Sequence, residues 1–300
     1  MKFGLIEIGS TSTKAYLYDD GKMTDLGLKH IKFKDNYSAN GYLLESDIDA
    51  LISFVGKIQK QTDDVYAFGT SIFRKISLDE REDFARRLRD VNMDFKVVSA
   101  DEEGDYTVKG VIDAIDYRGK MAVVIGGGGS TEIVTVKNKK IINKISLDFG
   151  AVDITDKFPE LKGDRVTTGF DEILDYTNGL VGDLHDSADV LVIAGSDHIH
   201  FYQNAGYKMG KNTIYHDENQ PYLLDFEKLN HYDVDILGKS LDAIKRQDTG
   251  DAGWWDNARG MRFCMNAVAR KLQSKYIIPT RINMLIGMAA EISKERRAQG

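Results

Sequence analysis

Cysteine is almost missing from this 300-residue sequence. Cys264 stands alone, which rules out an intrachain disulfide and fits a reducing compartment. Proline occurs three times, so no proline-rich linker marks a domain boundary. No apolar run approaches the roughly 18–20 residues that a membrane span needs. Net positive charge is lacking as well: 40 Lys and Arg against 47 Asp and Glu leave −7, which excludes a chain-wide basic surface for nucleic acid or acidic lipid. An anionic substrate stays admissible, because a few backbone amides and one or two arginines suffice locally. Met1-Lys2-Phe3-Gly4 runs straight into a strand-like segment, so no leader is expected. Together these absences lead us to expect a soluble, cytoplasmic protein whose length suits two domains.

What is plentiful is glycine, at 28 residues, and its placement is informative. Phe3–Ile8 alternates as a strand, Gly9-Ser10-Thr11-Ser12 forms a polar turn, and Thr13–Tyr18 resumes a strand before the hairpin signal Asp19-Asp20-Gly21. Helical spacing follows over 45–62 and 78–91, and 102–117 also reads as a helix; short strands follow at Val65–Phe68 and Phe95–Val98. The opening then returns about 120 residues later. Met121–Ile125 is a buried-strand run, Gly126–Ser130 a glycine turn, Glu132–Val136 a strand, and Lys137–Lys140 a turn into Ile141–Leu147. Val190–Ala194 is a further apolar strand ending in Gly195-Ser196. The remainder reads as mostly helical, clearest over 255–271 and 284–297. The repeat implies two similar sheets facing one another across a cleft, with the break near Arg118-Gly119.

A turn rich in Gly, Ser and Thr between two strands aims successive N–H groups at one point and forms an anion nest. Glycine permits positive φ and close approach of a phosphate. The hydroxyls of Ser10, Thr11, Ser12, Ser130 and Thr131 add donors. The bland alternative, a mobile hairpin, is weakened by continuous apolar strands on both sides and by the second matching turn.

These residues carry a resemblance. Glu7-Ile8-Gly9-Ser10-Thr11-Ser12 resembles the first phosphate motif of the exopolyphosphatase/guanosine-pentaphosphatase (Ppx/GppA) family, usually Asp-hydrophobic-Gly-Ser-Asn-Ser. Gly127-Gly128-Gly129-Ser130-Thr131-Glu132 is similar to the second, Asp-Ile-Gly-Gly-Gly-Ser-Thr-Glu. Gly69-Thr70-Ser71-Ile72-Phe73-Arg74 resembles the Thr-Ser-x-x-Arg segment, 97–104 the Ile-Ser-Gly-x-Glu-Glu-Ala segment, and 146–152 the Ser-Leu-x-x-Gly-Ala-Val stretch. The five occur in family order over about residues 3–158; beyond 160 the likeness is thin.

The resemblance implies an α/β, actin-like (ribonuclease H-like) duplicated fold of the ASKHA superfamily, two domains with mixed sheets and an inter-domain cleft. The first domain would cover 1–118, the second 119–283, with the helix over 284–297 packing back on the first. It implies hydrolysis of a terminal phosphoanhydride of polyphosphate or guanosine pentaphosphate, with polyphosphate or a phosphorylated guanosine nucleotide as partner, and makes a homodimer plausible. Carried over by position, Arg74 would bind a phosphoryl oxygen and Glu103 would be the general base. Gly9, Ser10, Thr11, Ser12, Gly127, Gly128, Gly129, Ser130 and Thr131 would bind phosphate, and Glu7 and Glu132 would hold magnesium. Such chemistry needs clustered donors, a cation on the leaving side and a carboxylate to orient water.

Four departures bear on catalysis. Glu7 stands for the family's Asp, Thr11 for its Asn, Asp153 for its Arg in the Gly-x-Val-Arg segment, and Ile125 for the Asp that helps hold the metal. Isoleucine does not ligate a hard cation. Reduced activity, or a phosphate or nucleotide sensor without turnover, is the alternative; a sugar or acid kinase of the same fold is a third class. His198 and His200 read as turn or surface residues. Trp254 and Trp255 read as interface or core, with base stacking the sharper alternative. Arg281 and Asn283 precede Gly287 somewhat as a family Arg-x-Asp precedes a glycine. Cys264 reads as a core thiol on a helix face.

Overall fold

A computed structural model describes residues 1–10, 12–195, 210–211, 222–245 and 254–299. By contacts the chain divides into two compact units, Met1–Gly110 with Met284–Gly300, and Val111–Asn283.

The first unit opens with β1 (Lys2–Ile8), β2 (Ser12–Asp19) and β3 (Lys22–His30), then α1 (Phe33–Asn40), α2 (Glu45–Gln59), β4 (Val65–Gly69), α3 (Leu78–Arg89), β5 (Asp94–Val97) and α4 (Ala100–Ala114). Its mixed sheet runs β3-β2-β1-β4-β5, with β1 antiparallel to β2 and parallel to β4. The β1–β2 hairpin is followed by a tight turn at Asp20 and Gly21, both at positive φ, which matches the twist of antiparallel strands. Successive residues of β1 bury opposite faces. Ile6 and Ile8 pack with Ile48, Leu51 and Val55 of α2 and with Phe84 of α3. Phe3 and Leu5 meet Met284, Leu285 and Met288 of the C-terminal helix. With both faces covered, the strand reads as a nearly unbroken apolar run.

The second unit holds β6 (Lys120–Gly126), β7 (Thr131–Lys137), β8 (Lys140–Leu147), α5 (Ala151–Lys157), α6 (Phe170–Val181), β9 (Val190–Ala194), β10 (Gly210–Lys211), β11 (Tyr222–Asp225), α7 (Phe226–Gly238), α8 (Leu241–Lys245), α9 (Ala258–Lys271) and β12 (Tyr276–Pro279). The chain ends with α10 (Met284–Gln299), which belongs to the first unit. The second sheet runs β10-β11-β12-β9-β6-β7-β8. Its β8-β7-β6-β9-β12 portion repeats the pairing of the first sheet, parallel and antiparallel relations included. The β7–β8 turn again uses two residues at positive φ, Asn138 and Lys139. The expected two mixed sheets and the internal repeat are therefore present.

The region after Val190–Ala194 is less helical than expected, since β11 and β12 add to the sheet. Each has four residues, too short for a period to show. Helix α9 starts at Ala258, behind a 3-10 turn at Trp254–Asn257, rather than at 255. No helix among the described residues is long and apolar enough to cross a membrane.

Helix α10 lies against α4 at very short range. A Cβ added to Gly287 would overlap the carbonyl oxygen of Tyr106 and crowd the Gly110 amide, and Arg296 of the same helix pairs with Asp64 at 2.5 Å. Backbone gives way less than side chains, so Gly287→Ala should force the helices apart and destabilise the chain by about 1–3 kcal/mol. Urea unfolding of the full chain measures it; an unchanged midpoint would contradict the packing.

Candidate functional site

In the first unit, β1 ends at Ile8 and the chain turns at once. The Gly9 amide donates to the Ser12 carbonyl at 2.9 Å, closing a four-residue turn. A Cβ on Gly9 would sit 2.8 Å from that oxygen, so the turn tolerates only glycine there. The Ser10 carbonyl accepts from the Lys34 amide at 2.9 Å. Thr11 lies outside the described residues. The Ser10 hydroxyl donates to the Ser71 hydroxyl at 2.8 Å, and the Thr70 amide donates to the Ile8 carbonyl at 3.1 Å. The loop after β4 is thereby tied to the loop after β1.

Ser71 was not among the residues expected from sequence. Its φ is +41°, a left-handed backbone costing a β-carbon-bearing residue roughly 1–2 kcal/mol. Nothing in Thr70-Ser71 announces this, because the strain arises from the turn that follows. That turn, a 3-10 segment over Ser71–Arg74, is pinned by Phe73. The Phe73 ring is fully buried and sits 5.3 Å, 4.9 Å and 5.6 Å from the rings of Phe33, Phe84 and Phe95. The aromatic cluster holds the turn from below and presents Arg74 above it. Arg74 Nη1 donates to the Val98 carbonyl at 2.9 Å and to Glu103 Oε2 at 3.0 Å. The two residues expected to be catalytic are thus brought together.

The run Asp101-Glu102-Glu103 divides its labour. Glu102 closes a capping box at the start of α4, its carboxylate accepting from the Ser99 amide at 2.9 Å while the Ser99 hydroxyl accepts from the Glu102 amide at 3.1 Å. Lys96 donates to it at 2.8 Å. The Lys96 bond, then the Ser99 bonds, hold its carboxyl down at about 2. Glu102 is a helix cap; Glu103, one residue on, faces Arg74.

The second unit builds the same turn. The Gly127 amide donates to the Ser130 carbonyl at 2.8 Å. The carbonyls of Gly127 and Gly128 accept from the amides of Ala151 and Val152 at 3.1 and 2.8 Å, so α5 clamps the loop by its oxygens. The amides of Gly128, Gly129 and Ser130 have no acceptor among the described residues. Gly128 and Gly129 are exposed, and a Cβ on Gly129 would meet nothing within 4 Å. Three unspent donors on an open turn are an arrangement that suits an anion. None of Gly126–Gly129 has positive φ, and space is tightest at Gly126. A Cβ on Gly126 would lie 2.5 Å from Met261 Sδ.

Thr131 is fully buried and its hydroxyl donates to the Phe149 carbonyl at 2.9 Å. The Cys264 thiol lies beside it, and burial pushes that thiol up to about 12; the expected core thiol is present. Asp153, where the resemblance leads one to expect Arg, accepts from the Gly150 amide at 2.8 Å and caps α5.

Register decides what stands behind each loop. In the first sheet Glu7 lies opposite Lys14 on β2 and beside Phe68 on β4. In the second, Ile125 lies opposite Glu132 on β7 and beside Ala194 on β9, and Glu132 lies opposite Ser146 on β8. Each loop therefore has one carboxylate behind it, Glu7 with a lysine across from it and Glu132 with an isoleucine. Among the described residues no three His, Cys, Asp or Glu side chains gather as a metal cluster. This donor set does not fit a magnesium ion held by the protein alone. Gly195 has φ +95° and accommodates Ile125, whose Cγ2 would lie 2.8 Å from a Cβ there. Its amide donates to the Ile282 carbonyl at 2.7 Å, between Arg281 and Asn283. Ser196, His198 and His200 lie outside the described residues, as do the side chains of Trp254 and Trp255.

With this geometry in place, comparison with known proteins is informative. Residues 28–199, more than half of the chain, match the profile of the Ppx/GppA phosphatase family. A Fusobacterium nucleatum bifunctional 3-dehydroquinate synthase/phosphatase is 29% identical over 141 residues, which cover 44% of this chain and 21% of that protein. The chain thus spans about a fifth of that relative's length. A crystal structure of the Aquifex aeolicus Ppx/GppA phosphatase superposes with a TM-score of 0.78 at 20% identity, covering 97% of this chain and 99% of that one. An exopolyphosphatase from Cytophaga hutchinsonii gives 0.70 at 17% identity, with 96% of each chain covered. Both likenesses show the two-domain actin-like fold.

Because Glu102 is held at about 2, against 4.5 for an unconstrained glutamate, its contribution to stability is fully present above pH 4.5 and is lost as pH falls through about 2. Glu102→Gln should remove that part of the acid dependence and leave a shallower decline below pH 4.5. Unfolding midpoints of both proteins across acid pH measure it, and parallel curves would refute the cap.

Proposed function

Since this chain belongs to the Ppx/GppA phosphatase family, we propose that it hydrolyses the terminal phosphoanhydride of polyphosphate or of a guanosine pentaphosphate. The observation that carries hydrolysis, beyond binding, is Arg74 at 3.0 Å from Glu103 on a turn anchored by buried aromatics. A binder needs the guanidinium; a hydrolase needs the carboxylate next to it.

The roles follow from the chemistry of each group. The open amides of Gly128, Gly129 and Ser130 donate to phosphoryl oxygens and offset their charge without any reorganisation. The planar, permanently charged Arg74 suits bidentate phosphate binding. Glu103, oriented through Oε2, takes a proton from water as the water oxygen bonds to the terminal phosphorus. The bridging P–O bond breaks, and its electron pair leaves with the shortened phosphate chain. A divalent cation would neutralise charge on the leaving side, and no step above depends on one. One buried thiol, Cys264, suits a reducing cytoplasm.

The two roles separate in kinetics. Arg74→Ala should weaken binding, raising KM by about tenfold or more, an effect of the order expected for a charge-assisted bond. Glu103→Gln keeps shape and removes the base; kcat should fall by about 10²–10⁴ with little change in KM. Phosphate release from polyphosphate and from guanosine pentaphosphate, with melting temperatures as a folding control, provides the test. Loss of neither parameter would overturn the roles; calorimetric binding of both compounds without release of phosphate from either would make the protein a sensor.

A further inference from the structure

We propose that loop 2 takes its phosphate without a cation held in advance by the protein, so that any divalent ion arrives already bound to the phosphate. This rests on the phosphate reading of loop 2 above.

The row of residues that ends the second sheet behind loop 2 carries the inference. Across β9, β6, β7 and β8 it reads Ala194, Ile125, Glu132, Ser146. Directly opposed residues of neighbouring strands share a face, with Cβ atoms of antiparallel pairs about 4.5–5.5 Å apart. The face therefore offers one carboxylate and one hydroxyl beside two hydrocarbon side chains. A hard divalent ion free of substrate needs more oxygen than that; with one carboxylate it is retained only together with substrate phosphates. Ile125 fills the position from which a second carboxylate would reach, and its Cγ2 lies over Gly195, where even a Cβ would meet it at 2.8 Å. The hydrocarbon is thus built into the sheet end by a glycine that makes room for it. Charge on the phosphate is met instead by the amides of Gly128, Gly129 and Ser130, which have no acceptor among the described residues. The corresponding row of sheet 1 is no richer, since Lys14 stands across from Glu7 and competes with a cation for it.

The consequence is an order of addition. Manganese, as a spectroscopic substitute for magnesium, should show no stoichiometric binding to the full-length protein without phosphate. Inorganic tripolyphosphate should bind in EDTA within about threefold of its affinity with the metal present, a difference below the 1.4 kcal/mol of a tenfold change. Ile125→Asp puts a second carboxylate opposite Glu132 and should create stoichiometric manganese binding to the phosphate-free protein, while weakening tripolyphosphate in EDTA by about tenfold or more. Tripolyphosphate binding by this variant with manganese shows that it is folded. Ile125→Asn, polar and uncharged, should create no metal site. Stoichiometric manganese binding by the unmodified protein, or tripolyphosphate binding that vanishes in EDTA, would overturn the proposal and leave the phosphate reading intact. So would an Ile125→Asp protein that binds tripolyphosphate with manganese yet takes up no manganese alone. Absence of tripolyphosphate binding under every condition would overturn the phosphate reading itself.

Discussion

One backbone hydrogen bond, from a glycine amide to the carbonyl of the serine three residues later, shapes both loops. It measures 2.9 Å from Gly9 to Ser12 and 2.8 Å from Gly127 to Ser130. In the second unit, closing the turn this way spends the first amide internally and leaves those of Gly128, Gly129 and Ser130 without an acceptor among the described residues, an arrangement that suits an anion. The strands on either side are registered by the same closure, with Ile8 opposite Thr13 and Gly126 opposite Thr131. A slip of one residue would move every apolar side chain of β1 or β6 to the wrong face. Fold and site are thus coupled through one bond, since the register that buries Ile6 and Val124 is the register that opens the loops.

How much of this was legible in the sequence depends on where each signal resides. β1 was readable by its alternation, and β6 and β9 because both of their faces are buried, which leaves apolar runs before Gly/Ser turns. The hairpin turns were readable because Asp20-Gly21 and Asn138-Lys139 sit at positive φ, a conformation with its own residue preference. β3 was invisible: it is a mostly exposed edge strand with no apolar alternation to detect. The separation of Glu102 from Glu103 was equally hidden. Two adjacent acids look alike in a list, and only the position of Ser99 and Arg74 in space assigns one to a helix cap and the other to a guanidinium. The reason for glycine in loop 2 was half legible. Space is tightest at Gly126, against Met261, and positive φ was not used at any of the four.

The two units spend the same turn differently. Loop 1 is tied by side chains, through Ser10 and Ser71. Loop 2 is tied by backbone, through α5, and floored by α9, where Met261 and Met265 press on Gly126. That floor is rigid for a polar reason. Arg259 is fully buried within α9 and donates to the carbonyls of Leu161, Gly163 and Lys239, stapling two loops to the helix. Arg262, one turn on, bonds Asp233 of α7 at 2.7 Å, and Asn266 bonds the same carboxylate at 2.8 Å. Burial pushes the Asp233 carboxyl up, and Arg262 and Asn266 oppose that push. Breaking such a pair strands a buried charge at a cost of about 3–5 kcal/mol, so α9 has little freedom to move under the loop.

Strain is placed where the rigid elements meet the chemistry. Ser71 adopts a left-handed backbone between β4 and the turn bearing Arg74, and relaxing it would swing the turn away from Val98 and Glu103. The aromatic cluster around Phe73 opposes that relaxation: four rings lie within 6.1 Å of one another in successive contacts, and each such pair adds about 0.5–1.5 kcal/mol beyond its burial. Their sum exceeds the roughly 1–2 kcal/mol cost of one left-handed residue. The guanidinium is therefore fixed by the fold itself, and in its proposed role the entropy of ordering it would be spent in folding the chain instead of in binding a substrate.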